Sequence, residues 1–267
     1  MIRNNYKHMQ AKRFMHNKRG QIAIFVIVAI IIVAIILLLI FYPKLPSLTQ
    51  GADVSPVPFL KSCIEPDLKT EMSRLSNNGG YANPDAFLQY QGEKIEYLCY
   101  TSENYKTCIV QQPLIKEHFE RELDSLLKGK VNACLQSLEQ EYEKRGYSVT
   151  LGNPDSKTSI NPGNVLISIT SPLTASKAGS TKSFNGFNVE IDSKMYDLLM
   201  ISVSIIDYES TLGDSETTLY LQYYPDLKIE KTKLDEGSKV YRLTNVVTGE
   251  SFRFASRSLV WPPGYPE

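Results

Sequence analysis

The chain has 267 residues, of which 42% are hydrophobic and 22% are charged. This length accommodates a folded domain together with additional segments. Its 29 basic and 29 acidic residues balance overall, but six of the basic residues precede Gly20, and the remainder has a formal charge of −6 from 23 Lys and Arg against 29 Asp and Glu. Charge therefore excludes a general nucleic-acid-binding protein, and we expect no nucleic-acid partner.

An uninterrupted apolar run extends from Ile22 to Tyr42. At about 1.5 Å per helical residue it reaches roughly 30 Å, the thickness of a bilayer core. Because a segment in hydrocarbon must satisfy its backbone polar groups internally, the run predicts a transmembrane helix at residues 21–42, with the lipid bilayer as its partner. A cleaved secretory signal is the competing interpretation, but its apolar core would be shorter and an A-x-A-like site would follow it.

The charges that flank this run predict its orientation. The segment of residues 1–20 is basic, and no acidic residue precedes Asp53. Positively charged flanks stay in the cytoplasm, so this tail is expected inside and the C-terminal domain outside the cell. The predicted localisation is the cell membrane, crossed once.

Four residues, Lys18, Arg19, Gly20 and Gln21, stand directly before the apolar run. This junction resembles the class III signal peptides of type IV pilins and archaeal surface appendage proteins, in which two basic residues and a Gly precede the cut. The resemblance implies that a prepilin-type peptidase cuts between Gly20 and Gln21 and that the chain assembles with itself or with other surface proteins. Phe25 departs from the pattern, since many pilins carry a Glu there. The alternative is an uncleaved signal anchor.

The order of segments has a wider resemblance. A KRGQ-type anchor precedes a Pro-rich exit, a helix with the pair Ser62-Cys63, a turn at Gly79-Gly80-Tyr81, a long helix with Cys134 and a β-rich end. This order is similar to that of uncharacterised single-pass membrane proteins common in small-genome archaea. The resemblance implies topology and carries no activity.

Helical periodicity dominates the first half of the expected extracellular part. Residues 43–58, with four prolines, are typical of an extended, semi-rigid stalk. Apolar residues then recur at helical spacing over Phe59–Leu75, where Pro66 predicts a kink or a restart. A long amphipathic helix is expected over Pro113–Arg145. Together these segments predict a helical, disulfide-bearing subdomain at residues 59–146.

All four cysteines lie in this half, at Cys63, Cys99, Cys108 and Cys134. An even number outside the cytoplasm indicates disulfides, and three pairings are open. We favour Cys99 with Cys108, which are close in sequence, and Cys63 with Cys134, which each face the apolar side of a helix. A zinc site is the alternative, but the chain has no C-x-x-C motif and only His118 is near.

The second half changes to strand patterns, interrupted by a helix over Met195–Tyr208 that Ser193 can cap. It predicts a β-rich subdomain at residues 147–260 and a Pro-rich tail at 261–267. The fold class is therefore α+β, with a long amphipathic helix packed on antiparallel sheet. Strand-like segments occur at Tyr147–Leu151, Lys157–Ile160, Val165–Ala175, Lys182–Ile191, Thr218–Tyr224, Leu227–Lys233, Lys239–Val247 and Ser251–Ser256.

No catalytic motif accompanies this fold. The chain has three histidines, two of them in the basic tail, and no phosphate-binding, G-x-S-x-G or H-E-x-x-H motif. An acidic cluster around Gly213 is interpreted as a solvated helix end, with a Ca²⁺ site as the alternative; its members are Asp207, Glu209, Asp214 and Glu216. We expect no catalytic residue, metal or cofactor.

The sequence thus predicts a membrane-anchored structural or interaction protein of the cell surface that is not an enzyme. A membrane-tethered ligand-binding or hydrolytic domain is the alternative. A binder or enzyme should contain a deep pocket in which polar groups converge, whereas a structural domain should be filled.

Overall fold

The computed structural model describes residues 26–35 and 54–259. The chain separates into two compact units, Met1–Ala52 and Asp53–Glu267. In the first unit, residues 26–35 form a helix, α1, and all of them are exposed. The rest of the predicted transmembrane helix, the basic tail, most of the predicted stalk and the Pro-rich tail lie outside the described residues. Across the two described ranges, no helix has both the length and the apolarity needed to cross a membrane.

The described part of the second unit contains four helices. They are α2 (Pro56–Asn77), α3 (Ile115–Lys144), α4 (Met195–Leu212) and α5 (Thr218–Tyr223). Helix α2 begins three residues before the predicted start at Phe59, with Pro56 in its first turn. Proline is tolerated there because an N–H at that position has no partner within the helix. The helix also continues through Pro66, so the restart that this residue can mark does not occur.

Helices α2 and α3 form a pair that is cross-linked near its middle. The disulfide Cys63–Cys134 joins them, and Lys130 Nζ of α3 lies 3.2 Å from Asp67 Oδ1 of α2. Each helix buries a stripe of apolar side chains. These stripes form part of a single core that also includes side chains from both sheets. The long amphipathic helix predicted from the sequence is therefore present and packed on one side.

The first sheet contains β4 (Ser148–Leu151), β5 (Asp155–Asn161), β6 (Asn164–Lys177) and β7 (Ser180–Asp192). All its pairings are antiparallel, and β6 pairs with each of the other three strands. Helix α3 lies along β5, and two carboxylates of the helix accept hydrogen bonds from backbone N–H groups of this edge strand. Thr158 N donates to Asp124 Oδ1 at 2.5 Å, and Ile160 N donates to Glu120 Oε1 at 2.7 Å.

The second sheet combines strands from both ends of the domain. It contains β1 (Phe87–Tyr90), β2 (Glu93–Tyr100), β3 (Ile109–Val110), β8 (Leu227–Lys233), β9 (Ser238–Asn245) and β10 (Ser251–Arg257). The order is β1-β2-β10-β9-β8, and β3 also pairs with β2. The β2–β10 pair is parallel and the others are antiparallel.

This pairing crosses the predicted boundary between the two subdomains. β2 lies in residues 59–146 and β10 in residues 147–260, and the two strands pair directly. The mixed α+β fold with antiparallel-rich sheets and a long helix packed on them agrees with the expectation. The segment Thr218–Tyr224, which we had grouped with the strands, instead forms the short helix α5.

Candidate functional site

A cleft of about 500 Å³ opens where four segments of the domain meet. These are the C-terminal half of α2, the turn at Gly163 between β5 and β6, the start of α4, and the turn at Gly249 between β9 and β10. Both glycines have positive φ, as tight turns require, and a Cβ at either would meet open space. Ligand pockets commonly have volumes of roughly 300–1,000 Å³, so the cleft is large enough for a small molecule.

The floor of the cleft is apolar and buried. Met72 of α2, Ile191 of β7 and Met195 of α4 line it, and each is at most 5% exposed. Methionine side chains are flexible and polarizable, so they adapt to ligands of different shape. One hydroxyl interrupts this surface, that of Ser76, which is 2% exposed. Among the described residues, Ser76 Oγ finds only the thioether of Met195, at 3.7 Å, and sulfur is a weak acceptor.

The wall formed by the start of α4 is held by Glu250 of the β9–β10 turn. Ser193 Oγ donates to Glu250 Oε1 at 2.6 Å, and Lys194 N donates to Glu250 Oε2 at 2.7 Å. Ser193 Oγ also accepts from Met195 N at 3.1 Å, but Lys194, and not the predicted Ser193, stands at the N-cap position of α4. A carboxylate is favourable at this helix end because the unpaired N–H groups and the helix dipole are positive there. Glu250 therefore positions the cleft and has little capacity left for a ligand.

The mouth of the cleft carries charges of both signs. Lys69 is paired with Glu65, whose Oε1 lies 2.6 Å away. Asp192 and Lys194 are exposed, and neither side chain has a hydrogen-bond or salt-bridge partner among the residues described. They lie two residues apart, between the end of β7 and the start of α4. The cleft thus presents one free anion and one free cation above an apolar floor.

The lining of the cleft combines hydroxyl groups with charged groups. Its serine and threonine hydroxyls are not accompanied by a histidine or a cysteine within the lining. A nucleophilic hydroxyl requires a neighbouring base, and Glu250, the lining carboxylate that contacts Ser193, also caps a helix. Within residues 26–35 and 54–259 no group of three or more His, Cys, Asp or Glu is placed to hold a metal ion.

A second polar centre lies inside the domain, around Glu209 of α4, which is 0% exposed. Its Oε1 accepts from Ser215 N at 3.0 Å and from the Tyr241 hydroxyl at 2.5 Å. Its Oε2 accepts from Lys239 Nζ at 2.7 Å and from Ser256 Oγ at 3.0 Å. Four donors therefore satisfy the carboxylate, which is the condition under which a buried charge is tolerated.

Lysines extend this centre to the surface. Lys239 Nζ also contacts Gly213 O at 2.5 Å and Asp214 Oδ1 at 3.1 Å, and Asp214 further pairs with Lys231 and Lys233. Partial burial opposes the charged form of Asp214, but the hydrogen bonds from these lysines outweigh it and hold the pKa of the carboxyl well below its ordinary 3.8.

Tyr241 completes the centre. Burial, together with the charge of Glu209, raises the pKa of its phenol far above the ordinary 10. This direction favours the neutral phenol, which donates its hydrogen bond to Glu209 Oε1. The carboxylate of Glu209 is buried and accepts four hydrogen bonds, which indicates a structural role, whereas the buried hydroxyl of Ser215 has no partner among the described residues.

This geometry corrects the interpretation of the acidic cluster. A solvated helix end describes Asp207 but not Glu209, which is buried against β9 and β10. Asp214 is bound by lysines, and Glu216 accepts hydrogen bonds from the N–H and the hydroxyl of Thr218. The four carboxylates do not converge on one point, which removes the basis for a Ca²⁺ site. The lysine partner of Glu209 lies 30 residues away, where sequence spacing alone gives no signal of the contact.

The four cysteines form two disulfides, Cys63–Cys134 and Cys99–Cys108, which are the pairings favoured from the sequence. No described cysteine is free, so the zinc alternative has no ligands. Its remaining candidate, His118, instead packs against Tyr81, with ring centroids 4.0 Å apart and ring planes tilted by 38°, and burial lowers the pKa of the imidazole. The predicted processing residues Lys18, Arg19, Gly20 and Gln21 lie outside the described residues.

No family model matches the chain, and no curated protein and no solved structure is significantly similar to it. The two disulfides fit an extracellular or secreted domain, since such bonds persist in oxidising compartments.

Proposed function

We propose that this chain is a structural or interaction protein of the cell surface, anchored by residues 21–42 and processed like a pilin between Gly20 and Gln21. The observation that carries the proposal is the combination of a disulfide-bonded domain with a preceding apolar run. Residues 26–35 of that run are helical and exposed, which is costly in water and favourable in lipid.

The interior of the domain supports a structural role. The buried carboxylate of Glu209 is satisfied by four protein donors, so it serves the fold. One core cluster extends through α2, α3, α4 and both sheets. A domain with this continuous core and two cross-links suits a protein that must persist outside the cell.

The proposal is tested on intact cells with a membrane-impermeant amine reagent. Lys69 and Lys233 have side chains that are 65% and 61% exposed, so both should be labelled from outside, as read by peptide mass spectrometry. The protein should also remain in the membrane fraction after alkaline carbonate extraction. Labelling only after lysis contradicts the surface location, and release by carbonate contradicts the anchor.

A second function, ligand binding by the tethered domain, is favoured by the cleft between α2 and α4. Its volume and its apolar floor are those of a binding site. A hydrolytic role lacks this support, because the lining hydroxyls have no histidine or cysteine beside them in the lining.

A further inference from the structure

We propose that the cleft between α2 and α4 binds a small zwitterion with an apolar side chain, such as a dipeptide of hydrophobic residues. This binding site goes beyond the anchoring role and does not depend on it. Three features of the cleft each match one part of such a ligand: its apolar floor, a buried hydroxyl and two free charges of opposite sign.

The apolar floor of the cleft favours a ligand with an apolar side chain. Met72, Ile191 and Met195 come from three different elements and meet beneath the opening. An aliphatic side chain of a ligand would displace water from this surface, and contact with methionine permits several shapes. A purely polar ligand would gain nothing from this contact.

The buried hydroxyl of Ser76 favours a ligand that carries a hydrogen-bond acceptor. Its hydroxyl is almost completely buried, lines the cleft, and has only a sulfur atom within hydrogen-bonding reach among the described residues. A buried donor without a good acceptor costs free energy. A carbonyl oxygen of a peptide entering the cleft would accept this hydrogen bond, and a hydrocarbon chain would not.

The two free charges at the mouth of the cleft favour a ligand that carries one positive and one negative group. Asp192 can pair with an ammonium group and Lys194 with a carboxylate, while Lys69 is already paired with Glu65. A ligand of one sign would bring a like charge near one of the two free groups. A ligand that carries both charges complements both, which distinguishes an amino acid or a short peptide from a fatty acid.

The test is isothermal titration of the full-length protein, in lipid nanodiscs, with leucyl-leucine. Glycyl-glycine lacks the apolar side chains, and N-acetyl-leucyl-leucine amide lacks both charges. We expect binding of leucyl-leucine, with glycyl-glycine and the capped dipeptide each at least tenfold weaker. Equal affinity for glycyl-glycine or for the capped form would overturn the proposed ligand class. Absence of leucyl-leucine binding at concentrations up to about 10 mM would overturn the site.

Two tryptophan variants place the binding in the cleft. Ser73 is exposed on α2 and lines the cleft, so Ser73→Trp should fill the opening and weaken leucyl-leucine binding at least tenfold without loss of folding. Ser62 is also exposed on α2 but is not part of the lining, so Ser62→Trp should bind as the unsubstituted protein does. Unchanged affinity in Ser73→Trp, or an equal loss in both variants, would refute the location. Since carbonate extraction and the labelling of Lys233, which is not part of the lining, do not involve the cleft, failure of this test is separable from failure of the anchoring proposal.

Discussion

At the residue scale, the most consequential contact is the pair formed by Glu209 and Lys239, which are 0% and 6% exposed at their side chains. We predict that Lys239→Met lowers the free energy of unfolding by about 3–5 kcal/mol, because removal of one partner leaves the carboxylate of Glu209 buried without a countercharge. Urea unfolding followed by circular dichroism measures this change.

Lys233→Met is the matched control for this substitution. Lys233 also belongs to the lysine group around Asp214, with its Nζ 2.7 Å from Asp214 Oδ2, but its side chain is 61% exposed. Exposed ion pairs contribute roughly 0–1 kcal/mol, so we expect a loss within that range. Similar losses in the two variants would show that burial does not set the strength of the Glu209–Lys239 pair.

The low pKa of Asp214 predicts a dependence of stability on pH. Because the lysines hold this pKa below its ordinary 3.8, the folded state binds the proton of this group less readily than the unfolded state does. The stabilisation is therefore complete above the unfolded pKa and is lost as pH falls below about 4. The effect is screened by salt, since the side chain is 40% exposed.

The test compares the unsubstituted protein with Asp214→Asn in thermal unfolding between pH 7 and pH 2. We expect Asp214→Asn to be less stable at neutral pH, with the difference shrinking below about pH 4. Asp207→Asn is the control, because Asp207 is exposed on α4, the helix that ends two residues before Asp214, and its carboxylate has no described partner. A constant difference between Asp214→Asn and the unsubstituted protein across this range would contradict the assignment.

At the element scale, the two disulfides differ in the length of chain that they close. Cys63–Cys134 spans 71 residues and joins α2 to α3, whereas Cys99–Cys108 spans 9 and joins β2 to the segment before β3. Loop-closure entropy predicts that loss of the first costs about 2 kcal/mol more than loss of the second. Paired Cys→Ala variants of each bridge, compared by urea unfolding, measure the difference. A larger loss for the short bridge would mean that local packing dominates over chain entropy.

The elements also show what sequence patterns could predict. The period of α3 and the alternation of β6 follow directly from which side chains are buried, so both were predictable. The start of α2 was misplaced because prolines indicate extended chain as well as a first helical turn. α5 was misassigned because its six residues bury no side chain and so leave no periodic signal.

The cleft and the buried centre depend on contacts that local patterns do not encode. Glu250 and Ser193 are 57 residues apart, and Glu209 and Lys239 are 30 apart. Ser76 and Met195 are separated by 119 residues. Each of these pairs is brought together by the packing of whole elements. The sequence around a charged residue does not show whether that residue will be buried, or which distant residue will pair with it. The disulfides were predictable in part, because few cysteines leave few pairings.

At the scale of the whole molecule, the parallel β2–β10 pair makes the domain a single folding unit. β10 comes from the end of the described chain and lies between β2 and β9, so the second sheet cannot form until nearly the whole domain has been synthesised. Such non-local pairing slows folding. The disulfide Cys63–Cys134 keeps α2 and α3 together independently of this sheet.

Cleavage of the N-terminus also concerns the whole molecule, because it distinguishes a pilin-like protein from a plain signal anchor. The junction at Gly20 and Gln21 predicts that the mature chain begins at Gln21, as intact-mass and peptide mass spectrometry of protein from its native membrane would measure. In Gly20→Val, a β-branched side chain at the cleavage point should block processing and leave the basic tail attached. Gly51→Val, a glycine replacement beyond the apolar run, should be processed normally. A start at Met1 or Ile2 in the unsubstituted protein would exclude the pilin-like pathway, while the retained basic residues would still fix the orientation of the anchor.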